Sequence, residues 1–305
     1  MNTVAIRLED IRKQYRTGFW GKRFVALDGL SLEIFQGEIF GYLGPNGAGK
    51  TTTFKVLLDL IRPGRGRVEL FGLPATLAAR ERIGFLPENP YFYMYLNAEE
   101  SLHFHGRLKG MGRERRKERV PELLRLVGLD HAARRPLKKF SRGMLQRIGI
   151  AQALVNDPDI LILDEPMSGL DPDGRARMRD IILSCRDQGK TVIFSSHILS
   201  DVEVMCDRAA VVRAGRLQQI VAVNDMLATG TTHWDVTCDI FQGVDSFAGV
   251  LVYKGANQAL LRVVDEAQAR QLMRDIEEKG GRVIAFGPHR TSLEELYQQP
   301  ASEAV

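Results

Sequence analysis

The chain has 305 residues, enough for one large domain with a smaller companion and a sizeable core. It is 44% hydrophobic and 26% charged, which excludes a disordered or fibrous chain, and its net charge of +4 is weak support for nucleic-acid binding. Three cysteines, Cys185, Cys206 and Cys238, supply neither a disulfide framework nor a zinc spacing, so a reducing compartment is expected.

The opening MNTVAIRLED carries no basic-then-apolar signal pattern. No apolar stretch approaches the roughly 20 residues that span a bilayer. Work at a membrane would therefore pass through a partner. Residues 4–9, 31–35 and 38–43 alternate or run apolar and are expected as strands. The connection TGFWGKRF between the first two is unusually long and aromatic. It reads as an exposed hairpin tip or as a partner contact.

GPNGAGKT, Gly44 to Thr51, fits G-x-x-x-x-G-K-[ST] at each fixed position. It follows the strand EIFGYL and opens an apolar-periodic helix expected from Lys50 to about Leu60. Glycines let successive N–H groups converge on phosphate oxygens, and the helix adds its positive end. Lys50 is placed to reach the β- and γ-phosphates, and the Thr51 hydroxyl to meet Mg²⁺. The expected phosphate cradle comprises Gly44, Pro45, Asn46, Gly47, Ala48, Gly49, Lys50, Thr51 and Thr52.

A turn at 63–66 precedes strand candidates VELFG and IGFLP. Residues 97–155 read as mostly helical, with Pro121 expected to open one helix and Pro136 to break the pattern. The basic run RLKGMGRERRKER (107–119) reads first as a solvated helical face. Contact with anionic lipid is a weaker alternative, and nucleic acid comes third. The aromatics of NPYFYMYL (89–96) divide between core and a partner groove.

ILILD (160–164) is a continuous apolar run of the kind a buried parallel strand needs. It delivers Asp164 and Glu165 to the strand's C-terminal end, where ligands collect in open parallel sheets. Adjacent acids also end strands and cap helices. Beside a phosphate loop, Asp164 is expected to hold Mg²⁺ and Glu165 to orient or deprotonate an attacking water. A helix near 173–186 and a strand at 191–195 complete the alternating units. From about Ala222 the texture changes. VTCDIF, VLVYKG, LLRVV, a helix at 266–279, RVIAF and a short helix SLEELYQQ form a small α+β unit.

Taken in order over residues 4–220, these motifs resemble the ATP-binding cassette (ABC) family. GPNGAGKT resembles its Walker A loop, ILILDEP its Walker B strand, SGLD (Ser168–Asp171) its D-loop, and His197 its switch histidine. Tyr15 resembles the aromatic that stacks on adenine, though Phe19, Trp20 and Phe24 are rivals. FSRGMLQR (140–147) lies where the family's signature belongs, keeping Ser141 and Gly143 but carrying Arg142 and Met144. Glu88 in FLPENP stands where a glutamine is usual.

The resemblance implies an α/β fold: a P-loop NTPase cassette with a mainly parallel core sheet, an antiparallel edge sheet and a helical subdomain at about 88–155. Domain bounds of 1–221 and 222–305 are expected. It implies ATP and Mg²⁺ as ligands, with Thr51, Asp164 and Glu88 toward the metal. Lys50, Glu165 and His197 are the expected catalytic groups. Ser141, Gly143 and Asp171 would complete the nucleotide site of a second cassette, in a dimer of two copies. A separate transmembrane permease and a peripheral place on the cytoplasmic face of the membrane follow, with no nucleic acid partner. The departures at 88, 142 and 144 resemble the exporter subgroup. The rival readings are a soluble mechanical ATPase on ribosomes or DNA and a regulatory module that does not hydrolyse. The former usually carries two cassettes, a coiled coil or zinc modules, which this sequence lacks. Intact Lys50, Asp164 and Glu165 oppose the latter.

Overall fold

The computed structural model describes residues 3–17, 22–223 and 231–290. The chain divides into two compact units, Met1–Val221 and Ala222–Val305.

The first unit is built on two sheets. β1 (Val4–Thr17), β2 (Lys22–Phe35), β4 (Arg65–Leu70) and β5 (Leu73–Pro74) form an antiparallel sheet in the order β2-β1-β4-β5. β1 and β2 run well beyond the expected 4–9 and 31–35. The β1–β2 register shifts between Leu8 and Ile11, where Asp10 sits at φ 45°. Such a bulge moves the inward face by one residue. Leu8 and Ile11 are therefore both buried although a strict alternation separates them.

The second sheet has the order β10-β9-β3-β8-β7-β6. Its strands are β3 (Ile39–Leu43), β6 (Ile83–Leu86), β7 (Ile160–Leu163), β8 (Thr191–Ser196), β9 (Arg208–Arg213) and β10 (Arg216–Ala222). β9, β3, β8, β7 and β6 pair in parallel. β3, β7 and β8 are buried at every residue, as strands covered on both faces must be.

α1 (Lys50–Leu57) lies between the sheets, with Phe54, Val56 and Leu57 in one cluster with Ile6, Leu27 and Tyr42. Each such buried side chain stabilises the unit by about 1.5–3 kcal/mol. α1 stops three residues short of the expected Leu60. Asp59 takes the left-handed conformation (φ 56°), and the Leu60 N–H returns to the Lys55 carbonyl at 2.9 Å, the hydrogen bond of a Schellman stop.

The helical region holds α2 (Leu77–Glu81), α3 (Ala98–Leu108), α4 (Arg113–Leu126) and α5 (Arg142–Ala153); α6 (Pro172–Asp187) and α7 (Leu199–Met205) flank the parallel sheet. Asn97 and Glu100 form a reciprocal capping box on α3. Pro121 does not open a helix, as the sequence suggested; it lies inside α4. Val120, Leu123 and Leu124, buried around it, hold the helix through the lost hydrogen bond. In the basic run, Arg113, Arg115 and Lys117 are exposed. Arg119 is 5% exposed and reaches Glu122 at 2.6 Å and Asp157 at 3.2 Å.

Among its described residues, the second unit is an antiparallel sheet, β12-β13-β11-β14, with one α-helix. Its elements are β11 (Thr231–Asp239), β12 (Leu251–Lys254), β13 (Gln258–Val263), α8 (Glu266–Glu278) and β14 (Val283–Arg290). Alternate residues Ala259, Leu261 and Val263 of β13 turn inward against Ala269, Leu272 and Ile276 of α8. The expected helix SLEELYQQ lies outside the described residues, as do Phe19 and Trp20.

Candidate functional site

The loop Gly44–Thr51 joins the end of β3 to α1. Two of its glycines are required by close approach. A Cβ on Gly44 would lie 2.5 Å from the Val212 carbonyl oxygen, and one on Gly49 2.6 Å from that of Ala26. Gly49 also sits at φ 102°, a conformation L side chains avoid. The first turn of α1 contains no acidic residue and no side-chain cap. Its N-terminal N–H groups are left for an anion.

Lys50 is 7% exposed. Its Nζ donates to the Gly44 carbonyl oxygen at 2.7 Å and lies 3.1 Å from Glu165 Oε1. The Thr51 hydroxyl donates to Asp164 Oδ2 at 2.9 Å. On the other side of Glu165, Oε2 meets His197 Nδ1 at 2.9 Å. One carboxylate thus stands between an ammonium and an imidazole. Glu165 itself is in the left-handed region at φ 49°, where a non-glycine residue is strained and held by its surroundings.

A cleft of about 390 Å³ gathers most of the expected residues: Pro45, Asn46, Gly47, Gly49, Lys50, Thr51, Thr52, Glu88, Glu165 and His197 line it. Gly44, Ala48 and Asp164 do not line it; Gly44 accepts from Lys50, which does, and Asp164 from Thr51. Phe24, Ala26 and Ser168 complete the wall. Tyr15 is not on that wall. It pairs with Phe24 across the β1–β2 ladder, and residues directly opposite share a face. Glu88 is exposed, and its carbonyl oxygen accepts from Nε2 of buried Gln146 on α5 at 3.2 Å.

Ser141, Gly143 and Asp171 are not gathered into this cleft. Ser141 caps α5, its hydroxyl accepting from the Met144 N–H at 3.3 Å. Asp171 caps α6 by accepting from the Gly174 N–H at 2.8 Å, with Pro172 following. The two caps are neighbours in space. The Arg142 guanidinium lies against Gly169, and Gly143 lies near Leu170.

Sequence reasoning missed Ser195 and Gln146. Both are polar side chains almost wholly buried, Ser195 in a strand read as apolar and Gln146 within FSRGMLQR. A buried polar group must find partners, and that was the available signal.

The donor set at Thr51 and Asp164 consists of hard oxygens, the kind Mg²⁺ takes. Among the described residues, no group of three or more His, Cys, Asp or Glu side chains is arranged to hold a metal ion. One carboxylate and one hydroxyl beside a phosphate loop fit an ion whose remaining ligands are water and phosphate. No helix among the described residues is long and apolar enough to cross a membrane.

Residues 27–168 match the family model described as ABC transporter. The chain is 42% identical over 311 residues to an uncharacterized ABC transporter ATP-binding protein of Nostoc sp., covering 97% of this chain and 90% of that protein. It is 41% identical to a bacitracin transport ATP-binding protein of Bacillus licheniformis, covering 71% and 69%. It is 36% identical to a Nod factor export ATP-binding protein of Paraburkholderia xenovorans, covering 79% and 77%. Among solved structures, an ATP-binding subunit of an ABC transporter superposes with a TM-score of 0.63 at 28% identity, covering 74% of this chain and 92% of that one. A dimeric ATP-binding cassette in a post-hydrolysis state, bound to ADP and Pi, superposes with a TM-score of 0.65 at 25% identity, covering 72% and 98%.

Proposed function

The chain belongs to the ATP-binding proteins of ABC transporters, and we propose that it powers an exporter through ATP-driven pairing of two of its copies. As a member of that family it binds ATP and hydrolyses it in support of transport. The observation that carries the reading is the position of Glu165, between Lys50 and His197 on the wall of a phosphate-loop cleft.

ATP binds with its phosphates in the loop Gly44–Thr51 and its adenine against the face shared by Tyr15 and Phe24. Thr51 and Asp164 would hold Mg²⁺, with Glu88 nearby on the cleft wall, and the bound ion would supply charge neutralisation for the transferred phosphoryl group. Lys50 gives up Glu165 to reach the phosphates. Glu165 is then free to orient a water in line with the γ-phosphate and accept its proton. His197 donates to the γ-phosphate and registers its departure.

The second copy supplies Ser141 and the Gly143 N–H. The first turn of α5 contains no acidic residue, so its exposed start favours an anion. Asp171, beside it, shapes the same facing site. Pairing head to tail places each ATP between the loop of one copy and the signature of the other, and hydrolysis releases the pair. A separate permease receives the motion and holds the protein at the cytoplasmic face of the membrane. Export is favoured by the similarity to a bacitracin transport and a Nod factor export ATP-binding protein.

The test is size-exclusion chromatography of Glu165→Gln with ATP and Mg²⁺. A stable dimer is expected, dissociating on removal of nucleotide. A monomer under the same conditions would rule out ATP-driven pairing.

A further inference from the structure

Ser195 lies on β8 with 0% exposure, among Val192, Ile193 and Phe194, which are equally buried. A hydroxyl placed there is costly unless its hydrogen and its oxygen are both engaged. Both are. Ser195 Oγ donates to Asp164 Oδ1 at 2.7 Å and accepts from the Glu165 backbone N–H at 2.8 Å.

The sheet register explains why it can do both. In the parallel β7–β8 ladder Leu163 pairs with Phe194, so Asp164 comes level with Ser195 just past the end of β7. The Asp164 N–H bonds the Leu86 carbonyl oxygen at 2.8 Å, on the β6 side. The next N–H, that of Glu165, turns to the β8 side and finds a side chain instead of a carbonyl. Beyond that N–H, the strained φ of 49° at Glu165 redirects its side chain and the chain that follows. Asp164 is gripped at both oxygens, by Ser195 at Oδ1 and by Thr51 at Oδ2.

We infer that Ser195 is a positioning residue for the two acidic groups: it turns Asp164 so that Oδ2 alone faces Thr51 and the cleft, and it fixes the backbone from which the Glu165 carboxylate is aimed. This deepens the reading above and rests on it. The same strand end also touches the Glu165 carboxylate through His197, two residues on. β8 and the residue that follows it therefore hold Glu165 at its amide and at its carboxylate.

The experiment compares full-length parent, Ser195→Ala and Ser195→Thr in three measurements: melting temperature, binding of a fluorescent ATP analogue in EDTA and across a Mg²⁺ titration, and ATPase rate. Ser195→Ala should bind the analogue in EDTA like the parent. It should need about 10-fold more Mg²⁺ for half-saturation and lose about 10- to 100-fold in kcat, the usual range for residues that orient metal ligands. Ser195→Thr, which keeps the hydroxyl, should stay within about threefold of the parent in both. Parental Mg²⁺ dependence in Ser195→Ala overturns the inference, as does a loss in Ser195→Thr equal to that in Ser195→Ala. A parent that binds the analogue but never hydrolyses ATP counts against the proposed function instead. In that case the Mg²⁺ titration of binding still decides the role of Ser195.

Discussion

Gln146 Nε2 donates a hydrogen bond of 3.2 Å to the carbonyl oxygen of Glu88, so the second turn of α5 grips the segment that leaves β6. α5 begins at Ser141, and Glu88 lines the cleft. The tie thus joins the helix that Ser141 caps to the wall of the cleft. Gln146 Oε1 is buried and makes no hydrogen bond, so the side chain serves the tie more than the stability of the core. Gln146→Met should melt close to the parent. Its hydrolysis rate should fall about fivefold, the worth of roughly 1 kcal/mol of hydrogen bond at the transition state. Melting curves and steady-state ATPase assays measure the two sides. A variant that loses stability and keeps its rate would assign Gln146 to packing alone.

Lys50 has Glu165 as a competing partner at 3.1 Å in a nearly dry setting. On the proposed function, phosphate displaces that partner. Glu165→Gln should therefore bind ATP more tightly in EDTA than the parent does, by about tenfold if the relief is near 1.4 kcal/mol. Fluorescence titration without Mg²⁺ reads this directly. Weaker binding by the variant would show that Glu165 does not restrain Lys50.

Glu88 stands on the cleft wall with a carboxylate where the family resemblance predicts an amide. Glu88→Gln should keep ATP affinity in EDTA and raise the Mg²⁺ needed for half-maximal hydrolysis by about 2- to 10-fold. Identical Mg²⁺ curves would remove Glu88 from the metal's surroundings.

Asp157 binds two nearly buried cations, Lys190 at 2.6 Å and Arg119 at 3.2 Å. The hydrogen bond from Lys190 pulls its carboxyl below the ordinary range. A depressed folded-state pKa contributes stability above the unfolded value, near 3.9, and loses it as pH falls through the folded value. Asp157→Asn, which tolerates the left-handed φ of 50° at that site, should melt about 2–4 °C lower than the parent at pH 7. The gap should shrink as pH drops below about 4. A gap constant from pH 7 to pH 3 would mean that the charge on Asp157 is immaterial.

The sequence made most of the cleft legible because its chemistry is written locally. GPNGAGKT brings loop glycines, lysine and hydroxyl in one stretch, and ILILD can be little other than a strand covered on both faces. Where the reading fell short, the deciding interaction was remote. β1 seemed to stop at residue 9 because the bulge at Asp10 is fixed by pairing with β2, which no window along β1 reveals. Pro121 seemed to start a helix because its ring favours a first turn, while the burial of Val120 and Leu124 that carries α4 through it depends on partners elsewhere. Arg119 looked like one more charge in a solvated run, and one of its two carboxylate partners lies 38 positions away. Ser195 sits in TVIFSS, where serine passes as a small residue in a strand. Only the level pairing of β7 and β8 turns it toward the acids.

The neighbouring amides of Asp164 and Glu165 bond in opposite directions, one to β6 and one to β8. This peptide is a built-in strain gauge for the centre of the sheet. A slip of β8 against β7 is expected to break the Glu165 amide's hydrogen bond before a backbone rung, since a lone side-chain oxygen holds it. In a hydrogen-exchange measurement the Glu165 proton should report motions that leave the amides of Leu163 and Asp164 silent. A single exchangeable proton then becomes a readout of whether the two arms of the site are still aligned.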